Sequence, residues 1–433
     1  MKWFRKITGI VVRILIFCVI VDGLNYVYVT DSQWERILWH NFYKAEGKID
    51  NLYLGSSHVY YDIDPFLLDK LNGQYNFNMS TPGQLMNGTY YLLREADRYN
   101  ELSHVYIELY YLRNTGDSDW VTQEPWFNWQ NTDYMEWSFN KLSYMLSITN
   151  DIENYIDILI PFSRYREHLG DYEFIKSNIE TKMTSDYKYS DEYEKYLDKG
   201  FRYTEYVCRA EDRRFRKKQS LGDNPMAQSS EQYLRKAIEY CQEKDIPVTL
   251  FISPMYNLQP ASVGNYDNYV KQMKNIASEY GLDFYDFNLA KEDYFPIRNL
   301  KYFKDVDHLN SKGAAMFTEF FHNVVSGSAE QNQKYFYDSY VQKLMREEPE
   351  VYGIHYWKED AQIFMNVVSN RDCGMEYRIT ITPDENLNQE PYLVQDFCDN
   401  KSFIVEAESG TCTVEYRMEN DPDRVLFVEV EFK

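Results

Sequence analysis

The sequence has few of the residues and motifs that usually identify a metal or cofactor protein. Its 433 residues include six cysteines and seven histidines, and no two cysteines have the spacing of a zinc site. It has no glycine-rich phosphate loop, no dinucleotide-binding fingerprint and no His-Glu-x-x-His string. We therefore predict neither a cofactor nor a metal.

Basic residues are also scarce relative to acidic ones. Lys and Arg number 46 against 68 Asp and Glu, which gives a formal net charge of −22. Because nucleic-acid binding requires clustered cations, no nucleic-acid partner is predicted. Aromatic residues are abundant at 17%, with 41 tyrosines. Tyrosine suits a sugar-binding surface, but it fills a half-buried surface equally well, and the sequence leaves both readings open.

Long apolar runs are missing except at the N-terminus. Basic residues at positions 2, 5 and 6 precede an apolar run over 7–21, and a second apolar stretch covers 24–29. The pattern predicts an uncleaved membrane anchor over 1–29 with a cytoplasmic N-terminus and the rest of the chain outside the cytoplasm. The alternative is a buried helix of a soluble domain, because Arg13 interrupts the run and the charge-free part is short for a span.

Between residues 30 and 349, apolar strand-like runs alternate with amphipathic helical segments. This alternation predicts an α/β fold with a mostly parallel sheet flanked by helices. Residue Ser229 or Ser230 is expected to cap one of the helices, and Asn310 or Ser311 the last one. The predicted strands are 50–54, 74–78, 104–111, 246–252 and 282–287, and the predicted helices are 90–99, 230–244, 266–280 and 311–325.

Two regions depart from this alternation. Residues 116–222 are rich in Trp and Tyr and predict a largely helical insertion. Residues 350–433 contain runs that alternate between apolar and polar residues with a period of two, which predicts a small antiparallel β domain. This domain could bind carbohydrate or shield the core.

Two short polar strings follow predicted strands at distant points of the chain. Gly55-Ser56-Ser57 follows the first strand, and Asp305-Val306-Asp307-His308 precedes the last helix. Since binding sites gather beyond the carboxyl ends of parallel strands, both strings are expected at one sheet edge. Ser57 could then act as a nucleophile, His308 as its base and Asp305 as the acid that orients the base. Asp307 is the competing carboxylate, but its adjacency to His308 makes the contact awkward.

This pattern resembles the SGNH (GDSL-like) hydrolase superfamily. In that family a Gly-x-Ser turn after the first strand carries the nucleophile, and an Asp-x-x-His block before a helix completes the triad. The resemblance thus assigns Ser57, Asp305 and His308, with Ser56 in place of the family's common Asp. It also implies that Gly83, at the end of Asn78-Met-Ser-Thr-Pro-Gly83, supplies an oxyanion N–H. The family's Gly-x-Asn-Asp block is missing, and Asn114 is a weak substitute for its oxyanion donor.

The Gly-Ser-Ser form resembles membrane-anchored members that handle acyl groups on surface polymers. The resemblance implies a serine esterase or O-acetyltransferase that acts on a cell-surface polysaccharide beside a multi-pass membrane acyl exporter. The alternative is a catalytically silent SGNH-fold scaffold that binds glycan or such a partner. A literal Gly116-Asp117-Ser118 also occurs in a polar stretch, where we interpret it as a decoy.

Overall fold

The computed structural model describes residues 2–30, 33–115, 125–149, 154–184, 187–209, 219–359, 362–371, 373–384 and 390–433. Contacts divide the chain into two compact units. The first comprises Met1–Thr204 and Met226–Leu250, and the second comprises Glu205–Pro225 and Phe251–Lys433. The Gly116-Asp117-Ser118 string lies outside the described residues.

The α-helices of the described residues follow one another from the N-terminus to residue 346. They are α1 Lys2–Tyr28, α2 Gln33–Lys44, α3 Ser57–Asp62, α4 Pro65–Asn72, α5 Met86–Tyr99, α6 Tyr111–Asn114, α7 Trp126–Thr132, α8 Phe139–Ser147, α9 Asn154–Leu159, α10 Tyr172–Met183, α11 Gln228–Glu243, α12 Leu258–Ala261, α13 Tyr266–Tyr280, α14 Ser311–Val325, α15 Ala329–Asn332 and α16 Tyr340–Arg346. A 3-10 helix over Pro161–His168 joins α9 to the segment before α10.

The strands fall into a central sheet, short ribbons and a C-terminal region. They are β1 Asn51–Leu54, β2 Asn76–Asn78, β3 His104–Glu108, β4 Tyr189–Ser190, β5 Glu194–Leu197, β6 Phe201–Thr204, β7 Gln219–Ser220, β8 Val248–Ile252, β9 Val263–Gly264, β10 Asp283–Asp286, β11 Val351–Glu359, β12 Gln362–Ser369, β13 Met375–Pro383, β14 Tyr392–Cys398, β15 Ser402–Val405, β16 Gly410–Met418 and β17 Asp421–Phe432.

The central sheet has five strands in the order β10-β8-β3-β1-β2. Strand β1 runs parallel to both β2 and β3. Every residue of β1, β2 and β8 is buried, as expected for a parallel sheet whose two faces are both covered. In the first unit, α5 and α11 pack against each other beside this sheet. The chain therefore has the predicted α/β class with a mostly parallel central sheet.

The predicted elements and the observed ones differ mainly at their ends. Helix α13 and helix α14 have the predicted bounds, and Asn310 caps α14 by accepting hydrogen bonds from two backbone N–H groups. Strand β3 ends at Glu108, three residues earlier than predicted, because the chain turns into α6 at Tyr111. The predicted cap at Ser229 or Ser230 is wrong, since Ala227 occupies the N-cap of α11.

The insertion contains the expected helices α7 to α10, but it also contains an antiparallel ribbon that the sequence analysis missed. Strand β5 pairs with β4 and with β6 in that ribbon. The segment is therefore mixed in its secondary structure, within the residues that the structure describes.

The C-terminal region is antiparallel, as predicted. It contains a three-stranded sheet in the order β11-β12-β15 and a four-stranded sheet in the order β14-β13-β16-β17. Strand β13 alternates buried and less buried residues along its length, which gives the sheet one apolar face. The core that these strands share includes Ile354, Met365, Tyr377, Ile379, Val405 and Val414.

Helix α1 contains the apolar N-terminal run. Its segment from residue 6 to residue 28 has a mean hydropathy of 2.4 and is 6% buried. By length and composition it can cross a membrane, and within the described parts of the chain no other helix meets that test.

Candidate active site

Ser57 stands at the junction of β1 and α3. Strand β1 ends at Leu54, Gly55 and Ser56 form the turn, and Ser57 is the first residue of α3. Every residue from 51 to 63 is buried except Ser57, which is partly exposed. The turn therefore presents a single serine towards solvent.

Glu108 lies directly beneath this turn, and the sequence analysis did not find it. Its carboxyl accepts hydrogen bonds from the backbone N–H groups of Ser56 and Tyr110. The Ser56 hydroxyl also donates to Glu108 Oε2 over 3.4 Å. A Cβ at Gly55 would lie 2.6 Å from Glu108 Cβ, so only glycine fits between the turn and this side chain.

The pKa of the Glu108 carboxyl lies well above its ordinary value. Glu108 is 3% exposed, and burial raises its pKa to about 8 although the hydrogen bonds from Ser56 and Tyr110 lower it. The group is thus mostly protonated near neutral pH. Perturbed acids of this kind concentrate at functional sites, although structural networks produce them too.

His58 takes part in this cluster. Its Nδ1 lies 3.2 Å from the Ser56 hydroxyl oxygen, and its ring lies 4.1 Å from the ring of Tyr110, centroid to centroid. His58 is 1% exposed. Its burial places it in the packing beneath the turn.

Gly83 occupies a turn that requires glycine. Its φ is +59°, in the left-handed region. A Cβ at this position would lie 2.3 Å from the nearest ring carbon of Phe127. Both the backbone conformation and the close approach of Phe127 therefore exclude a side chain here.

Asn114 ends helix α6 and is 4% exposed. Its side-chain Nδ2 donates to the Tyr110 carbonyl oxygen over 3.0 Å. Its own carbonyl oxygen accepts the N–H of Ala227 over 2.7 Å. The side chain thus stabilises the turn after β3, with one of its two amide hydrogens directed at Tyr110.

Asp305 and His308 form a hydrogen-bonded pair in the second unit. Nδ1 of His308 lies 2.9 Å from Oδ1 and 3.0 Å from Oδ2 of Asp305. Oδ1 also accepts the backbone N–H groups of Asp307 and His308. The carboxylate therefore folds under the imidazole as the Asp-x-x-His spacing predicted, and Asp307 contributes a backbone N–H to the arrangement.

The electrostatics of the pair favour an ionised Asp305. Burial alone would raise the pKa of Asp305, but the charge and hydrogen bonds of His308, the charge of Lys304 and the Asp307 N–H hold it well below its ordinary value. The side chains of Asp305 and His308 are 41% and 17% exposed. The imidazole ring of His308 is thus partly exposed, while the Asp305 carboxylate holds its Nδ1 in place.

The candidate residues divide between the two compact units. Ser57, Gly83 and Asn114 belong to the first, and Asp305 and His308 belong to the second. The structure brings Asp305 and His308 into direct contact. Among the described residues, no group of three or more His, Cys, Asp or Glu side chains could hold a metal ion.

Comparison with known proteins gives limited information. A protein-family model matches residues 170–330, which is less than half of the chain and assigns no family. No curated protein matches the sequence. A crystal structure of a Bacteroides fragilis protein that is proposed to be an acylhydrolase matches with a TM-score of 0.32 and 11% identity, covering 68% of this chain and 98% of its own. A likeness at that level does not determine the activity of this chain.

Proposed function

We propose that this protein is a membrane-anchored, extracytoplasmic serine enzyme of the SGNH type. It moves or removes an acyl group, such as acetyl, on a cell-surface polysaccharide through an acyl-serine intermediate. The observation that carries the proposal is the contact between His308 Nδ1 and the Asp305 carboxylate, which is the arrangement a serine's base requires. The partly exposed Ser57, in the turn after β1, supplies the alcohol.

In the first step, the Ser57 oxygen forms a bond to the acyl carbonyl carbon while Nε2 of His308 accepts the hydroxyl proton. The N–H groups of Ser57 and Gly83 stabilise the negative oxygen of the tetrahedral intermediate. Each such donor contributes about 3 kcal/mol in enzymes of this type. The bond to the leaving alcohol then breaks, and the proton on His308 passes to that alcohol.

Asp305 acts on this step through His308. Its carboxylate accepts the Nδ1–H and thereby fixes the tautomer in which Nε2 is free to accept a proton. The depressed pKa of Asp305 keeps the carboxylate ionised at neutral pH. The negative charge of the Asp305 carboxylate then balances the positive charge that forms on the imidazole of His308.

In the second step, a sugar hydroxyl or water attacks the acyl-Ser57 carbonyl. His308 takes the proton of the attacking group and returns a proton to the Ser57 oxygen as the acyl bond breaks. A sugar acceptor makes the enzyme a transferase, and water makes it an esterase. The two outcomes differ in whether the acceptor pocket excludes water.

Covalent labelling with a fluorophosphonate tests the proposed nucleophile. The full-length protein in detergent should be labelled, and Ser57→Ala should abolish the adduct. Ser118→Ala is the matched control, because it removes the serine of the Gly116-Asp117-Ser118 string and should leave labelling intact. A folded wild-type protein that takes no label would favour the silent scaffold, which binds glycan or a membrane partner without catalysis.

The acceptor is tested separately. The full-length protein is incubated with an acetyl ester, with and without oligosaccharides. Acetylated sugar identifies a transferase, and free acetate alone identifies an esterase.

The membrane anchor and a multi-pass acyl exporter as partner belong to the same proposal. The length and hydropathy of α1 support the anchor.

A further inference from the structure

Helix α1 is exposed over most of its length and is held by the first unit only near its end. Each residue from 6 to 23 is exposed except Val21, whereas Tyr28 and Val29 are buried within the first unit. The 23 residues from 6 to 28 cover about 35 Å of helix, somewhat more than the hydrocarbon core of about 30 Å. If α1 spans the bilayer, as the proposed function requires, the part of the first unit that contacts the end of α1 lies next to the outer leaflet.

The end of α1 is held by side chains of the insertion. Asn178 Nδ2 donates to the carbonyl oxygens of Val27 and Val29 over 2.8 and 2.9 Å. Lys182 donates to the carbonyl oxygen of Tyr26 over 2.7 Å and also to that of Val29. The last carbonyls of a helix need such donors where water is scarce. The last carbonyl groups of α1 are therefore hydrogen-bonded by protein side chains, which is what a helix end at the depth of the membrane interface requires.

The insertion exposes an unusual number of large apolar side chains close to this point. The 3-10 helix Pro161–His168 and α10 pack against α1, and α9 joins that 3-10 helix to α8. We name the exposed apolar residues of α8 and α9, together with Trp137 two residues before α8, the apolar collar. It consists of Trp137 at 58%, Phe139 at 89%, Leu142 at 37%, Leu146 at 47%, Ile156 at 59% and Leu159 at 36% exposure.

The collar residues of α8 lie on one side of that helix. Phe139, Leu142 and Leu146 follow the helical spacing of one side, and all three are exposed. The opposite side of α8 is the buried one, and it consists of Asn140, Lys141, Tyr144 and Met145. The exposed side of a helix on a water-facing surface is normally polar, whereas the exposed side of α8 is mainly apolar.

A cavity with both polar and apolar lining residues lies between the end of α1 and these helices. Its volume is about 410 Å³, and Asp22, Asn25, Lys141 and Lys182 are among the residues that line it. The charge of Asp22 in α1 is thus accompanied by two lysines. Charged groups near a membrane are tolerated where opposite charges accompany them.

We infer that the apolar collar inserts into the outer leaflet of the lipid bilayer beside α1. Lipid is the occupant because the collar belongs to the segment that packs against the end of α1, and the apolar surface of α1 is itself covered by lipid when that helix spans the bilayer. Trp137 at the collar's start fits the aromatic residues that lie at membrane interfaces. Docking of the same face on another membrane protein is the competing outcome of the test.

Tryptophan quenching in vesicles tests the inference. The full-length protein is incorporated into phosphatidylcholine vesicles whose acyl chains carry bromine near the headgroup, and incorporation is confirmed by flotation. The emission of Trp137, obtained as the difference between wild type and Trp137→Phe, should be quenched about twofold in brominated lipid, as for an interfacial tryptophan. Trp357→Phe is the matched control, since Trp357 is exposed on β11, and its difference emission should be unquenched.

A charged substitution gives a second measurement. Phe139→Asp should reduce the quenching of Trp137, whereas Phe427→Asp, at a comparably exposed aromatic position on β17, should leave it unchanged. A protein that floats with the vesicles while Trp137 stays unquenched overturns the collar and leaves the anchor standing. A protein that does not float overturns the anchor itself.

Discussion

Ser56 and Glu108 meet beneath the candidate nucleophile turn, with the serine oxygen 3.4 Å from Oε2 of the buried carboxyl. The pairing of β1 with β3 produces this contact. Leu54 is in register with Ile107, so the residues that follow, Gly55 and Glu108, come side by side where the two parallel strands end. A buried acid thereby supports the turn that presents Ser57.

The acidity of Glu108 predicts a pH-dependent stability. Its ordinary pKa is 4.5 and burial raises it to about 8, so between these values the folded chain keeps a proton that the unfolded chain releases. The stabilisation is complete below pH 4.5 and is lost as the pH rises towards 8. The free energy of unfolding should fall by roughly 1 kcal/mol per pH unit in this window.

Denaturant unfolding across that window measures the effect. Glu108→Gln keeps the shape of the side chain without its titration, so the stability of this variant should depend less on pH than that of wild type. Glu101→Gln, at an exposed position of the same unit, should follow wild type. Parallel pH curves for wild type and Glu108→Gln would contradict the assignment of a raised pKa.

The contact between Asp305 and His308 predicts the effect of Asp305→Asn. An amide at this position can donate to Nδ1 and would favour the tautomer in which Nε2 carries the proton, so the rate of fluorophosphonate labelling should fall about 10³-fold. The stability contributed by the ionised carboxylate is present above its ordinary pKa of 3.8 and is lost as the pH falls further.

Asp307→Asn is the control for this experiment. Asp307 donates its backbone N–H to Asp305, and that contact survives the substitution. The labelling rate of Asp307→Asn should therefore stay within a few-fold of wild type. A larger loss for Asp307→Asn than for Asp305→Asn would transfer the orienting role to Asp307.

The sequence predicted the parts of this arrangement that local chemistry determines. Asn310 was expected at the start of the last helix because a side-chain oxygen there can accept the first N–H groups, and it does so. The contact of Asp305 with His308 likewise joins residues that are three apart in the sequence. Both features could be inferred because each involves residues that are close together in the sequence.

Features that depend on distant segments were not predicted. Glu108 acquires its role through the register of β3 with β1, about fifty residues away, and no local pattern signals it. The start of α11 was misplaced for a similar reason. Ala227 is held by a backbone hydrogen bond from its N–H to Asn114, which fixes the N-cap without a capping side chain.

The geometry at Gly83 predicts a specific effect of Gly83→Ala. The new Cβ would meet the Phe127 ring at 2.3 Å, and the positive φ adds strain. We expect a loss of about 2 to 3 kcal/mol in stability, measured by denaturant unfolding, together with slower fluorophosphonate labelling. Gly47→Ala is the matched control, because Gly47 has φ +70° with nothing within 4 Å of an added Cβ. Equal losses for the two variants would exclude the Phe127 contact as the cause.

The cap of α14 predicts the consequence of Asn310→Ala. The Asn310 side chain accepts the N–H groups of Lys312 and Gly313 and donates to the carbonyl oxygens of Lys301 and Phe303. It thus fixes both the start of α14 and the segment that leads to His308. Because the side chain is 2% exposed, its loss should cost about 2 kcal/mol and should slow labelling of Ser57.

Ser328→Ala provides the comparison for that cap. Ser328 caps the short helix α15 through a capping box on an exposed part of the surface. Its removal should cost less than about 1 kcal/mol and should leave the labelling rate unchanged. If Asn310→Ala lowers stability without slowing the labelling, the cap supports the fold but does not position His308, and the orientation of the imidazole then depends on Asp305 alone.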